Sequence, residues 1–171
     1  MCDKNSLRLK AKSIRKTLDM PSISKCLIGK IKENSIYIKA NNIMIYYPTK
    51  FEVNLLELCS GNKNFYLPKV QDEKLLVCPY KTSSNLDMSP LHIMEPTSKP
   101  VNPNILDLVI VPALMADSFG FRLGYGGGFY DRFLKSLENN VHSIVAIPKE
   151  LFVDKLPFEN FDIPVDEVIQ A

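Results

Sequence analysis

Leu7, Ala11, Ile14 and Leu18 recur at three- and four-residue spacing, which predicts an amphipathic helix over Asn5 to Leu18. Lys10, Lys12, Arg15 and Lys16 are assigned to its solvated basic side. Pro21 suits a first helical turn, so a second helix is expected over Ser22 to about Lys39. The pattern then shortens. Ile43-Met-Ile-Tyr-Tyr47 is apolar, rich in strand formers and stopped by Pro48, as in a buried strand. Val53 to Cys59 predicts a short helix closed by Ser60-Gly61, and Phe65 to Val70 and Lys74 to Tyr80 predict two more strands.

Thr82 to Pro103 is rich in Ser, Asn and Pro and predicts a long surface connection, a kind of loop that is often functional. Asp107-Leu-Val-Ile-Val-Pro-Ala-Leu114 follows, and its unbroken apolar run predicts a strand buried on both faces. A glycine-rich loop, a helix over Phe129 to Leu137, and strands at Ser143 to Ile147 and Val165 to Ile169 complete the chain. Strands alternating with helices predict an α/β fold, a three-layer α/β/α sandwich on a mostly parallel (mixed) central sheet.

Composition narrows the class. With 171 residues, 46% hydrophobic and 23% charged, the chain suits one globular domain spanning 1–171. Its apolar runs are too short to span a bilayer, and the basic N-terminus lacks the apolar stretch of a secretory signal. A cytoplasmic location without membrane attachment is therefore expected. Cys2, Cys26, Cys59 and Cys78 lie far apart, and they read as free thiols rather than as disulfides or zinc ligands. His92 and His142 are isolated and read as structural or surface residues. A net charge of +2 argues against a nucleic-acid partner. The basic residues from Lys4 to Lys16, uninterrupted by any acid, are the exception that needs an explanation.

Candidate chemistry concentrates in Arg122-Leu-Gly-Tyr-Gly-Gly-Gly-Phe-Tyr-Asp131. Four glycines within five positions, between a buried strand and a helix, let backbone N–H groups close on an anion. The helix start adds partial positive charge, and a phosphate is the natural occupant. Neither Gly-Lys-Ser/Thr nor the G-x-G-x-x-G fingerprint is present. Arg122, read as an exposed loop arginine, offers an anion contact, and Asp131 offers a magnesium ligand.

Arg122 to Arg132, preceded by Val111-Pro-Ala-Leu114 and Asp117, resembles the hallmark segment of the 5-formyltetrahydrofolate cyclo-ligases, or methenyltetrahydrofolate synthetases. The resemblance continues in Lys4-Asn-Ser-Leu-Arg8, Glu52-Val53, Leu67-Pro-Lys69, Glu95-Pro96 and Asp162-Ile-Pro-Val-Asp166. Phe129 stands where relatives commonly carry Tyr, and Phe161 where many carry a polar residue, often His. The implied reaction converts 5-formyltetrahydrofolate and ATP to 5,10-methenyltetrahydrofolate, ADP and phosphate, through phosphorylation of the formyl oxygen. Other readings of the same residues are a nucleotide- or folate-binding paralogue without turnover and a related ATP-dependent ligase acting on another small acid.

What the resemblance implies can be assigned residue by residue. Lys4, Arg8 and Arg122 would bind ATP, with Arg122 the catalytic candidate. Leu123, Gly124, Tyr125, Gly126, Gly127, Gly128, Phe129 and Tyr130 would cradle the phosphates. Asp131 and Asp162 would hold Mg2+. Glu52 would bind the pterin, Tyr47 would contact substrate, and Tyr125 and Phe129 would stack on the ring system. The partner is a small folate, with no protein partner evident.

Overall fold

The computed structural model describes residues 3–138 and 140–171, so Cys2 lies outside them. Consecutive side chains in the central strands go to opposite cores, as the two-residue period of a strand requires. Ile43, Leu108, Ile110, Ile144 and Ala146 enter one core, whereas Met44, Val109, Val111, Val145 and Ile147 enter the other. These residues belong to β1 (Asn42–Met44), β6 (Leu108–Ile110) and β9 (His142–Ile147), the middle of a six-stranded sheet, except Val111, which directly follows β6. Adding β2 (Asn64–Gln71), β3 (Lys74–Tyr80) and β11 (Glu167–Gln170) gives the order β11-β9-β6-β1-β2-β3. All pairs are parallel except the β2–β3 hairpin. The expected α/β fold with a mostly parallel sheet is present.

Each face has its own cover. Leu27, Ile28 and Ile31 of α2 (Met20–Glu33) and Tyr37 of α3 (Ser35–Lys39) fill the first core. Ala11 of α1 (Lys4–Arg15) and Phe133 of α4 (Phe129–Ser136) fill the second. The single helix expected from Ser22 to Lys39 is broken at Asn34. That residue is extended, and its side chain accepts the Ile36 and Tyr37 N–H groups to cap a new helix.

The surface connection expected over 82–103 contains a hairpin, β4 (Leu86–Met88) with β5 (Met94–Pro96). Glu95 of β5, itself buried, accepts the Val70 N–H at 3.1 Å and ties the hairpin to β2. The helix expected at Val53 to Cys59 is a 3-10 turn, Leu56–Ser60.

A second small sheet was not visible in the apolar pattern: β7 (Met115–Asp117), β8 (Arg122–Leu123) and β10 (Phe152–Val153), in the order β10-β7-β8. It separates β6 from the glycine loop, so Arg122 begins in a strand. Asp117, fully buried, organises the turn by accepting the N–H groups of Phe119, Phe121 and Leu156. Gly120 in that turn has φ +83°, and a Cβ there would lie 2.3 Å from the Val165 carbonyl oxygen. Only glycine fits. No described helix is long and apolar enough to cross a membrane.

Candidate active site

Parallel strands leave their carboxyl ends on one edge of the sheet, where ligands settle in open α/β folds. Beyond β1 the chain continues through Tyr46, whose buried hydroxyl donates to the Val53 carbonyl at 3.0 Å, and then Tyr47. Tyr47, and Pro112 beyond β6, border a cavity of about 580 Å³. The same cavity gathers Lys4, Arg8, Glu52, every residue from Arg122 to Asp131, and Asp162. Five stretches of sequence, far apart in the chain, thus meet on one surface.

One wall is ionic. Lys4 Nζ lies 2.6 Å from Asp162 Oδ2 and 2.9 Å from Glu159 Oε2. Partial burial opposes its charge, but the hydrogen bonds and negative charges of Asp162 and Glu159 outweigh that and raise its pKa. Arg122 Nη2 lies 2.9 Å from Asp131 Oδ1, and its Nη1 donates to the Ile163 carbonyl at 2.5 Å. Its side chain is 4% exposed, which corrects the expectation of an exposed loop arginine. Burial pulls its pKa down, with Asp131 pushing the other way. Guanidinium remains charged throughout the working pH range.

Between these pairs runs the glycine loop. Among the described residues, the backbone N–H groups of 124 to 128 donate to no protein acceptor. The first turn of α4 adds the unpaired N–H groups inherent to a helix start. Gly126 has φ +105° and packs against the Arg8 guanidinium, whose Nε donates to the Gly124 carbonyl at 2.9 Å. Gly128, the N-cap of α4, is left-handed at φ +64°. The loop therefore presents donors without a bulky side chain in front of them.

Each carboxylate expected at the metal keeps an oxygen without a protein donor among the described residues. Asp131 Oδ1 accepts Arg122 and the Ile163 N–H, leaving Oδ2. Asp162 Oδ2 accepts Lys4 and the Glu159 N–H, leaving Oδ1. No cluster of three or more metal-binding side chains occurs among the described residues. Magnesium needs none, since it is commonly held by one or two carboxylates together with substrate phosphates. The donor set fits that pattern.

The rest of the lining is largely apolar around two buried acids, Glu52 and Glu95. Val70 and Leu75 of the β2–β3 hairpin, and Leu91, Ile93 and Met94 of the β4–β5 segment, face the cavity. Glu52, 7% exposed, accepts the Tyr125 hydroxyl on Oε1 at 2.6 Å and the Thr49 N–H on Oε2 at 2.7 Å. Tyr125 keeps nearly half its surface open, at the cavity. The Tyr130 hydroxyl is buried and has no hydrogen-bond partner among the described residues, and Tyr130 borders the cavity. Burial raises the pKa of both phenols, with the charge of Glu52 adding to the shift.

Sequence reasoning missed Arg15. Assigned to the solvated side of α1, it is 4% exposed. Its Nη1 donates to the Tyr125 hydroxyl at 3.0 Å, and its Nη2 donates to the Ala113 carbonyl. A signal existed: Lys4, Arg8, Ala11 and Arg15 follow one another at spacings that share one helix face. Lys10, Lys12 and Lys16 are exposed, as expected. The apolar residues of the hairpin wall were given no role, and Phe161, noted only as a departure from the family pattern, has its ring centroid 5.7 Å from Lys4 Nζ. The described cysteines are free, and burial pushes the Cys59 thiol up to about 12, a value at which thiolate chemistry is negligible near neutrality.

The family model of the 5-formyltetrahydrofolate cyclo-ligase family matches residues 2–171. A 5-formyltetrahydrofolate cyclo-ligase of Haemophilus influenzae is 31% identical over 77% of this chain and 76% of its own. That of Escherichia coli is 37% identical over 66% of each chain. A solved 5,10-methenyltetrahydrofolate synthetase from Aquifex aeolicus superposes with a TM-score of 0.85 at 30% identity, covering 98% of this chain and 89% of that one.

Proposed function

The chain belongs to the 5-formyltetrahydrofolate cyclo-ligase family, and we propose that its cavity holds ATP along the ionic wall and 5-formyltetrahydrofolate along the Glu52 wall. The enzyme cyclises 5-formyltetrahydrofolate to 5,10-methenyltetrahydrofolate, a reaction that consumes ATP. One observation carries the division of the cavity. Cation–carboxylate pairs and free N–H donors line one part, while apolar side chains and two buried carboxylates line the other, Glu95 held by the Val70 N–H and Glu52 by the Tyr125 hydroxyl.

ATP phosphates lie against the N–H groups of 124 to 128, between Lys4 and Arg122, with Arg8 beside the loop. Both flanking cations are already oriented by acids, which limits the reorganisation that substrate binding demands. Glu52 accepts N–H groups of the pterin edge, and Tyr47, Tyr125 and Phe129 flank the flat ring. The formyl oxygen then attacks the terminal phosphorus, and ADP leaves. N10 adds to the activated formyl carbon and gives up its proton, which leaves with the departing phosphate as the C–O bond breaks. Arg122 neutralises charge spread over the transferring group. Asp131 and Asp162 would hold magnesium, which would neutralise phosphate charge when bound. Residues 1–171 act as one catalytic unit in the cytoplasm.

Purified protein given ATP, magnesium and 5-formyltetrahydrofolate should accumulate the methenyl product by absorbance, with one ADP per product. Calorimetric binding of both ligands without product would support a paralogue that has lost turnover. ADP release with other formylated acids but not this folate would support a different ligase. Chelating magnesium should abolish turnover and weaken ATP binding while folate binding persists.

A further inference from the structure

α1 buries a guanidinium that the reading above leaves unused. Among the described residues Arg15 forms no ion pair, and its Nε has no hydrogen-bond partner. A buried charge without compensation is costly. Compensation comes through the Tyr125 phenol, which receives a hydrogen bond from Arg15 at 3.0 Å and donates one to Glu52 at 2.6 Å. Arg15 and Glu52 are thus a buried cation and a buried acid bridged by one hydroxyl. The Ala113 carbonyl fixes the other guanidinium nitrogen, and the Thr49 N–H fixes the other carboxylate oxygen. A donor on the phenol oxygen polarises its O–H and strengthens the bond passed on. The Arg15 charge also opposes the upward pKa shift that burial and Glu52 impose on Tyr125.

We propose that Arg15 is a positioning residue for the folate site, holding the Glu52 carboxylate in its substrate-ready orientation through the Tyr125 hydroxyl. The inference rests on the reading that Glu52 binds the pterin. Its reach is chemical: a helix whose outer face is ordinary solvated lysine buries Arg15 to set the acceptor that recognises the substrate. Arg15 touches neither substrate nor the reacting atoms in this scheme.

Steady-state kinetics on Arg15→Met, Arg15→Lys, Tyr125→Phe, the double variant Arg15→Met/Tyr125→Phe and Glu52→Gln test it, each checked for folding by thermal melting. Arg15→Met and Tyr125→Phe should each raise the folate KM about tenfold, the weight of one lost hydrogen bond, with the ATP KM changed less than about twofold. Arg15→Lys, which retains a donor, should fall between wild type and Arg15→Met. The double variant should be no worse than the poorer single, because both changes cut one relay. Multiplying effects, equal rises in both KM values, or unchanged kinetics in Arg15→Lys and Tyr125→Phe would overturn the proposal. If Arg15→Met does not fold, the lysine and phenylalanine variants decide it. A normal folate KM in Glu52→Gln would defeat the underlying assignment and this inference with it. A raised one beside normal Arg15→Lys and Tyr125→Phe would defeat the relay alone.

Discussion

The two walls of the cavity solve recognition in different ways. The phosphate wall is built from backbone N–H groups and from cations already paired with acids, Lys4 with Asp162 and Arg122 with Asp131. The folate wall is built from side chains, with the Glu52 carboxylate held between a phenol and a backbone N–H, and Glu95 held by the Val70 N–H, inside a largely apolar surround. A polyanion can be met by many donors of moderate strength, and losing one leaves the others. A neutral heterocycle edge is met by one acceptor whose orientation must be right. Redundancy on one side and dependence on the other follow from the ligands' chemistry.

Arg122→Ala tests the contrast most severely, because it removes the cation nearest the proposed transfer. We expect kcat to fall roughly 10²–10³-fold, the typical cost of one transition-state donor. Since Arg122 is buried and bonded to Asp131 and the Ile163 carbonyl, denaturant unfolding should also show a loss of about 1–3 kcal/mol. Near-normal turnover would move the phosphate wall elsewhere.

Glu52→Gln probes the other side. Replacing a charged acceptor should raise the folate KM roughly 10–100-fold and leave the ATP KM within about twofold. Equal changes in both constants would erase the distinction between the walls.

A smaller effect is expected from Gly126→Ala. At φ +105° any side chain is strained by about 1–3 kcal/mol, and the added methyl meets the Arg8 guanidinium at 3.4 Å. Melting temperature should drop, and ATP KM should rise more than folate KM. The reverse order would place the loop against the folate.

The mildest test concerns alkali. Tyr46, Tyr125 and Tyr130 are held neutral by burial, so their folded pKa values lie above the unfolded value near 10. The stability they carry is complete below about pH 10 and is lost as pH climbs toward the folded values. Thermal melting should be insensitive to these groups up to that point and fall beyond it. Tyr130→Phe should shallow that fall at little cost near neutrality, because its hydroxyl has no protein partner. An unchanged alkaline limb would show that Tyr130 does not contribute.

The same contrast explains what could be read along the chain. The phosphate wall is largely one contiguous segment, Arg122 to Asp131, and its glycines mark themselves by what they lack. The folate wall comes from strand ends, a hairpin and a helix face, and no local pattern joins Arg15 to Tyr125 and Glu52. The connection over 82–103 looked like loop because its strands are only three residues long and its turn chemistry dominates the composition. β7 and β8 were hidden for the same reason.

Sequence by itself determined the parallel sheet, through apolar runs that serve two cores, and the glycine loop, through residues that only a close backbone approach requires. It also determined the family. Tertiary structure alone decided that Arg122 is buried in an ion pair, that Asn34 ends a helix and starts another, and that Arg15 turns inward. Charge and periodicity name a residue's local preference, whereas burial depends on which distant segment arrives to supply its partner.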